Sequence, residues 1–133
     1  MSVQIPERLA RLLAPATKAY AHLALVKSDG TPQVTPVWFD FDGTHLIFNT
    51  ARGRVKDRIL HRHPVVAVAI SDPQNPYEYI QISGKVVSES EEGGHDMIKA
   101  LALKYRGSSD YPLKPGEVRV TYKVLVEHVQ PKE

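Results

Sequence analysis

The part of this sequence with the clearest capacity for chemistry is the basic run Arg52-Gly53-Arg54-Val55-Lys56-Asp57-Arg58. Residues 52–63 carry five Lys or Arg side chains against the single carboxylate of Asp57, whereas the whole 133-residue chain has a net charge of only +2. The remaining residues are therefore slightly acidic in sum, and the positive charge is confined to one place. Such a patch indicates a compact anion as the ligand rather than a long polyanion.

The position of this run in its predicted helix favours a phosphate-like ligand. Apolar spacing predicts a helix over residues 53–62, so Arg54 and Lys56 fall at or before its first turn. Cations there oppose the helix dipole at a cost of roughly 0.3–1 kcal/mol each, whereas free N–H groups of the same turn attract an anion. Gly53 allows close approach to the backbone, and Thr50 adds a hydroxyl at the end of the preceding strand. The alternative is a solvated basic helix face.

Most of the elements that must position this run are predicted strands. Apolar patterns bounded by turn residues predict six of them, at 19–27, 33–41, 44–50, 65–71, 77–88 and 118–128. Helices are predicted at 5–14, at 53–62 and after Ser88, which has capping-box spacing to Glu91. Short turns between consecutive strands indicate an antiparallel sheet. Six such strands can close into a small barrel, so the sequence predicts one mainly β domain over residues 1–133.

Three details of the predicted strands bear on how they pack. The apolar run Val65–Ile70 predicts a strand that is buried on both faces. Gly84 predicts a bulge or kink in the fifth strand. Alternation in the last strand predicts that valines and Tyr122 face one way, while Arg119 and Thr121 face the other.

Pro36 interrupts an otherwise regular strand. A strand proline lacks the N–H group of the ladder, so this segment is predicted to lie at an edge or at the mouth of the barrel. A flat ring could lie against such a backbone, but Pro36 could equally be there to protect an exposed edge. The residues alone leave both interpretations open.

Composition narrows the classes of function. The chain has no cysteine, so disulfides, thiolate metal sites and cysteine nucleophiles are excluded. Its longest aliphatic run has strand length, and charged residues interrupt the N-terminal stretch, so neither a membrane segment nor a secretory signal is expected and the predicted location is cytoplasmic. His61 and His63 are two residues apart and do not share a helix face, so no metal site is predicted.

Five segments, in this order along the chain, resemble the pyridoxamine 5′-phosphate oxidase-like split-barrel flavoproteins. They are Gln33–Phe39, Leu46–Thr50, Arg54–Lys56, Arg62–Pro64 and Tyr77–Gly84. The chain looks most similar to the short branch of deazaflavin-dependent (coenzyme F420) oxidoreductases. It resembles pyridoxamine phosphate oxidase itself poorly, because no convincing counterpart of the pyridoxal-binding residues is present, and that activity is not expected.

The resemblance implies a six-stranded antiparallel split β-barrel with flanking short helices. It also implies a homodimer with two cofactor sites at the subunit interface. The residues that it places against the cofactor ring are Val34, Thr35, Pro36 and Val37, and those that it places around the phosphate are Asn49, Thr50, Arg54 and Lys56. Arg52 and Arg58 are expected only to add to the positive field. In this family residues from the partner subunit complete the pocket, and Trp38, Tyr77 and Tyr79 are the candidates for that role here.

The activity implied is hydride transfer from reduced coenzyme F420 to a small conjugated acceptor, with the chemistry supplied by the cofactor. No catalytic side chain is assigned; Tyr77 or Tyr79 could donate a proton, although strand tyrosines usually serve packing. The first alternative is the same fold holding flavin mononucleotide (FMN), as an oxidoreductase or as a non-catalytic flavin-binding protein. The second is a module that uses the basic patch for nucleic acid, which is disfavoured because the patch is compact and has no interleaved aromatic residues.

Overall fold

The computed structural model describes residues 4–131, in which three α-helices accompany seven strands. The helices are α1 (Glu7–Ala10, continued by a 3-10 turn at Arg11–Leu13), α2 (Val55–Arg62) and α3 (Gly94–Arg106). The strands are β1 (Ala21–Val26), β2 (Pro32–Val37), β3 (Asp40–Phe41), β4 (His45–Ala51), β5 (Val65–Asp72), β6 (Asn75–Ser90) and β7 (Arg119–Pro131). No helix within this part of the chain has the length and apolar character needed to cross a membrane.

The strands form one curled antiparallel sheet in the order β2-β1-β5-β6-β7-β4-β3, which confirms the predicted split-barrel fold class. There are seven strands in the described residues rather than six, because the strand predicted at 33–41 breaks at Trp38-Phe39. The Tyr105 hydroxyl accepts a hydrogen bond from the Phe39 N–H at 3.3 Å, and the Lys104 ammonium donates one to the Phe39 carbonyl at 3.0 Å. Side chains of α3 thus take the backbone groups of Phe39 out of the ladder, and the chain passes from one edge of the sheet to the other.

The inward face of the sheet carries the main core. Large fully buried side chains come from α1 and its 3-10 turn, from five strands and from the β2–β3 connection, namely Leu9, Leu12, Leu23, Leu25, Phe39, Leu46, Ile70, Ile80, Val120, Tyr122 and Val124. Ile59 and Leu60 of α2 join this cluster. The apolar spacing of α2 therefore buries one face against the sheet and leaves its basic residues near the surface.

The prediction that β5 is buried on both faces is wrong for the single chain. Val66, Val68 and Ile70 are buried, whereas Val65 is 56% exposed and Ala67 and Ala69 face outward. The three neighbouring strands β2, β1 and β5 place further apolar residues on this outward face, which we call the outer apolar face: Ala24, Val26, Val34 and Pro36. No helix in residues 4–131 covers it, because α2 buries Ile59 and Leu60 in the main core and α3 packs on β7 and β4.

The predicted irregularity at Gly84 is confirmed. The register between β6 and β7 shifts between Ser83 and Gly84. A Cβ atom at Gly84 would collide with the backbone carbonyl of Leu125 on β7, so only glycine permits this close approach of the two strands.

The predicted start of the third helix is wrong. Strand β6 continues through Ser90, so Ser88 does not cap a helix, and α3 begins after Gly93. Gly93 has φ +72°, a left-handed conformation that glycine adopts freely, and Gly94 has no side chain to strike the Arg119 carbonyl. These two glycines allow α3 to start directly against β7.

The docking of α3 buries both faces at the start of β7. Val120, Tyr122 and Val124 are buried as expected, but Arg119 (4% exposed) and Thr121 (8% exposed) are buried as well. Helix α3 packs on β7. The polar face at the start of β7 therefore lies inside a second layer of the molecule.

Candidate functional site

A cavity of about 270 Å³ opens between β4, the start of α2, α3 and the end of β2. Its lining residues are Val37, Trp38, Asn49, Thr50, Arg54, Lys56, Ile98, Leu101, Tyr111 and Arg119. Five of the eight residues predicted to bind a cofactor are among them: Val37, Asn49, Thr50, Arg54 and Lys56. We call this space the cofactor cavity.

Arg54 and Lys56 give the cofactor cavity its positive charge. Arg54 occupies the N-cap position of α2 with a side chain that is 54% exposed, and its closest carboxylate oxygen, Glu117 Oε2, lies 3.7 Å away. Lys56 is half-buried, and burial together with the nearby Arg54 charge lowers its pKa. Two cations held close together at a helix start are stabilised by a bound anion.

Thr50 adds a hydroxyl at the wall of the same cavity. It lies near the end of β4 and is 8% exposed. Strand β4 pairs with β7 on one side and leads directly into the turn that starts α2, which explains why Thr50 and Arg54 come together. The predicted arrangement of strand, hydroxyl, glycine and basic helix start is therefore present in space.

Asn49 also lines the cavity, but its amide group is used by the protein. Its Nδ2 donates to the Gly94 carbonyl at 2.9 Å and to Thr121 Oγ1 at 3.1 Å, while its Oδ1 accepts from Arg119 Nε at 2.8 Å. In this arrangement Asn49 positions Arg119 and the start of α3. A direct contact of Asn49 with a phosphate stays a prediction.

Arg52 does not line the cofactor cavity, and its guanidinium is engaged in a set of ion pairs. Its guanidinium lies 3.0 Å from Asp57 Oδ1, 2.5 Å from Glu89 Oε2 and 2.8 Å from Glu91 Oε2. The last two carboxylates are on β6 and in the turn after it. The sequence shows only Asp57 near this charge, but the fold supplies two more acids, which compensate the positive field that Arg52 was expected to add.

Asp57 fixes the turn before α2. It accepts hydrogen bonds from the Tyr122 hydroxyl at 2.5 Å, from the Gly53 N–H at 2.9 Å and from Arg52. Burial opposes ionisation, but these three donors hold the pKa of Asp57 below its usual value. Burial and the bond to Asp57 raise the pKa of Tyr122, so its hydroxyl stays a donor. The network of Arg52, Asp57, Tyr122 and Glu89 holds the helix start that presents Arg54.

The four residues predicted to lie against a cofactor ring do not share one face of β2. Val37 lines the cofactor cavity. Val34 (61% exposed) and Pro36 point to the outer apolar face. Thr35 points inward like Val37, and its Oγ1 is buried without a hydrogen-bond partner among the described residues. The structure confirms that the strand of Pro36 is an edge of the sheet.

One wall of the cofactor cavity is aromatic. Trp38 stacks on Tyr105 with an interplanar angle of 4° and a centroid distance of 5.4 Å. The Arg106 guanidinium lies 5.4 Å from the ring centroids of both Trp38 and Tyr111, and Arg119 lies 5.4 Å from Tyr111 on the cavity side. These contacts hold the segment 107–118, which carries Tyr111, against the cavity.

The functional residues missed at the level of sequence are Tyr111, Arg119, Ile98 and Leu101. Arg119 has a side chain that is 3% exposed and pairs with Glu117 Oε2 at 2.9 Å. A backbone hydrogen bond from Lys114 and the pair with Arg119 lower the pKa of Glu117. The signal available in the sequence was an arginine in a regular strand pattern, which is typical of an exposed face.

Tyr77 is one of the residues proposed to complete the pocket, and it does not reach this cavity within the chain. It is 73% exposed near the start of β6, and Tyr79 is also absent from the cavity lining. Trp38 does line the cavity. Any role of Tyr77 or Tyr79 would therefore require another molecule.

Comparison with known proteins gives the same fold and a specific relative. The family model described as pyridoxamine 5′-phosphate oxidase matches residues 6–130. A solved F420 reductase structure is 33% identical, with a TM-score of 0.85 over 95% of this chain and 98% of that chain. A search of curated proteins found no match.

More distant structures agree in fold alone. HupZ from Group A Streptococcus is 18% identical, with a TM-score of 0.68 over 95% of this chain and 92% of that one. General stress protein 26 from Bacillus anthracis is 20% identical, with a TM-score of 0.67 over 92% of this chain and 89% of that one. Since a family model spans nearly the whole described chain and a relative is one-third identical along its length, this chain belongs to the pyridoxamine 5′-phosphate oxidase family.

Proposed function

We propose that this protein is an oxidoreductase that uses reduced coenzyme F420 to transfer a hydride to a small conjugated acceptor. The observation that carries the proposal is the cation pair Arg54 and Lys56 in the cofactor cavity of a chain that is 33% identical to an F420 reductase. The family membership supports flavin-type redox chemistry, and the relative supports the deazaflavin among such cofactors.

The residues present fit a cofactor of this kind. Arg54, Lys56 and the Thr50 hydroxyl, which all line the cofactor cavity, would hold the phosphate. When bound, the deazaflavin supplies the hydride. The chain's own contribution is to bind the anionic part, to orient the ring beside Val37 and to limit water at the aromatic wall of Trp38 and Tyr111.

FMN is the second candidate cofactor, either in an oxidoreductase or in a non-catalytic flavin-binding protein. The family model favours FMN, because the model that matches is that of pyridoxamine 5′-phosphate oxidase. A phosphate monoester would also satisfy Arg54 and Lys56, so the cation pair does not distinguish the two cofactors.

Titration of the purified apo protein with each cofactor tests the assignment. We expect saturable quenching or enhancement of F420 fluorescence, with weaker or no binding of FMN measured in the same way. Tight binding of FMN without binding of F420 would overturn the first choice and support the second. Absence of binding to either one would remove the flavin-type assignment.

We further propose that two chains form a homodimer through the outer apolar face. This face exposes Val34, Val65 and the alanines of β5, which is an arrangement that a monomer would leave in contact with water. The cofactor cavity of one chain, about 270 Å³, is also smaller than the roughly 300–1,000 Å³ that ligand sites usually enclose. A partner subunit docked on this face would contact Val34 and Pro36, and its own residues would enlarge the site. A cytoplasmic location stays a prediction.

Charge placed in the outer apolar face should separate the subunits. Ala67 is exposed in the single chain and small enough for its replacement not to disturb the core, so Ala67→Glu should convert a dimer into monomers. Sedimentation velocity measures this change, and Lys18→Glu, at an exposed site outside the face, serves as the control. A wild-type protein that sediments as a monomer at all concentrations would contradict the dimer.

A further inference from the structure

A second basic cavity lies at the opposite end of α2 from the cofactor cavity. It encloses about 340 Å³ and is lined by Lys27 and Ser28, which follow β1, and by residues in and just after the C-terminal half of α2, namely Arg58, Ile59, Arg62 and His63. No carboxylate is among these lining residues, and none of them lines the cofactor cavity.

No carboxylate in residues 4–131 forms an ion pair with the positive charges of this cavity. Within residues 4–131, Lys27, Arg58 and Arg62 take part in none of the ion pairs. The carboxylate that acts on Lys27 is that of Asp29 in the β1–β2 turn, and its Oδ1 accepts the Thr31 N–H at 2.9 Å. Arg58 and Arg62 are four residues apart on one helix face, where like charges repel each other.

The comparison with Arg52 shows that this imbalance is local. Arg52 belongs to the same basic run, and the fold brings three carboxylates to it. The helix dipole favours cations at the C-terminal end of α2, which accounts for Arg62. It does not account for Lys27, which comes from another element and faces the same cavity.

The two walls of the cavity are joined by a hydrogen bond. Ser28 Oγ and His63 Nε2 lie 3.1 Å apart, and this contact ties the β1–β2 turn to the end of α2. Lysine and two guanidinium groups around such a space offer the point charge and the planar donors that phosphate and carboxylate groups require. We propose that this cavity is a second anion-binding site for a phosphate or carboxylate group.

The anion can come from two sources that share this chemistry. It can be a free small anion, or it can be a distal anionic group of the ligand whose phosphate is held by Arg54 and Lys56. The site itself does not depend on which cofactor the protein uses, so its test can fail or succeed independently of the F420 assignment.

Titration with inorganic phosphate, followed by backbone amide NMR spectra, tests the site. We expect saturable shifts of the amides of residues 27–30 and 58–63, and an affinity about tenfold lower in Arg62→Ala, because a charge-assisted donor is lost. Lys18→Ala removes one exposed positive charge elsewhere and should leave the affinity unchanged. Shifts that do not saturate, an unchanged affinity in Arg62→Ala, or an equal loss in Lys18→Ala would overturn the proposal.

Fluorescence titration of the same variants with FMN and with F420 identifies the source. If Arg62→Ala lowers the affinity for F420 but not for FMN, the site binds anionic groups that F420 carries beyond its phosphate. If the affinities for both cofactors are unchanged while the phosphate-induced shifts are weakened, the site binds a free anion.

Discussion

Replacement of both Arg54 and Lys56 by alanine should reduce the affinity for F420 about 100-fold or more and leave the protein folded. Each side chain supplies a charge-assisted contact worth about 1.5–3 kcal/mol, and about 1.4 kcal/mol corresponds to a factor of ten in affinity. Both residues line the cofactor cavity. Burial and the nearby Arg54 charge lower the pKa of Lys56, and a bound phosphate would offset the repulsion between the two cations. Fluorescence titration gives the dissociation constants, and circular dichroism checks that the fold is kept.

The matched control for this double variant is Lys18→Ala/Lys85→Ala. It removes two exposed lysines that do not line the cofactor cavity, so the net charge changes equally while the cavity is unaltered. We expect its affinity to stay within about twofold of the wild type, because distant surface charges are screened by salt. An unchanged affinity in Arg54→Ala/Lys56→Ala would show that the phosphate is held elsewhere.

Replacement of Arg52 by alanine should lower the free energy of unfolding by about 3 kcal/mol. Removing one partner of a buried ion pair leaves the other charge without compensation, at a cost of about 3–5 kcal/mol, and the lower end applies because the Arg52 side chain is 30% exposed. Asp57, whose side chain is 8% exposed, would lose its nearest cation. Urea unfolding followed by circular dichroism measures the change.

Two further variants test whether this loss of stability comes from the ion pairs of Arg52. Arg58→Ala removes an exposed arginine of the same run that takes part in no ion pair in the described chain, and its stability should stay within about 0.5 kcal/mol of the wild type. Arg52→Ala/Asp57→Asn removes both charges, and its loss of unfolding free energy should be smaller than the sum of the losses in the two single variants. Equal losses in Arg52→Ala and Arg58→Ala would contradict the role assigned to the network.

Local patterns were sufficient for most elements of the fold. Apolar patterns bounded by turn residues identified β1, β4, β6 and β7, and the short turns between consecutive strands predicted an antiparallel sheet, because side-chain patterning and turn conformation depend on neighbouring residues only. Pro36 identified an edge strand for the same reason. The predicted start of α3 was wrong because Ser88, despite its capping-box spacing to Glu91, lies within strand β6 and pairs with β7.

For the candidate site, Thr50, Arg54 and Lys56 could be recognised because one strand and the following helix carry them within seven consecutive residues. Arg119 and Tyr111 could not, because the pairing of β7 with β4 and the segment after α3 bring them to the cavity from more than fifty residues away in sequence. The buried position of Arg119 can be recognised only in the tertiary structure, where Asn49 and Glu117 contact its guanidinium.

The basic run at 52–58 shows which properties the sequence determines and which depend on the tertiary structure. The sequence by itself determined that an anion-attracting helix start follows a strand, since charge, glycine and helix propensity are local properties. Only the tertiary structure decided that Arg52 is neutralised by Glu89 and Glu91, that Arg54 and Lys56 face a cavity, and that Arg58 faces a different one. The reason is that the partners of a charge are chosen by strand pairing and helix docking, which bring together residues that are distant along the chain.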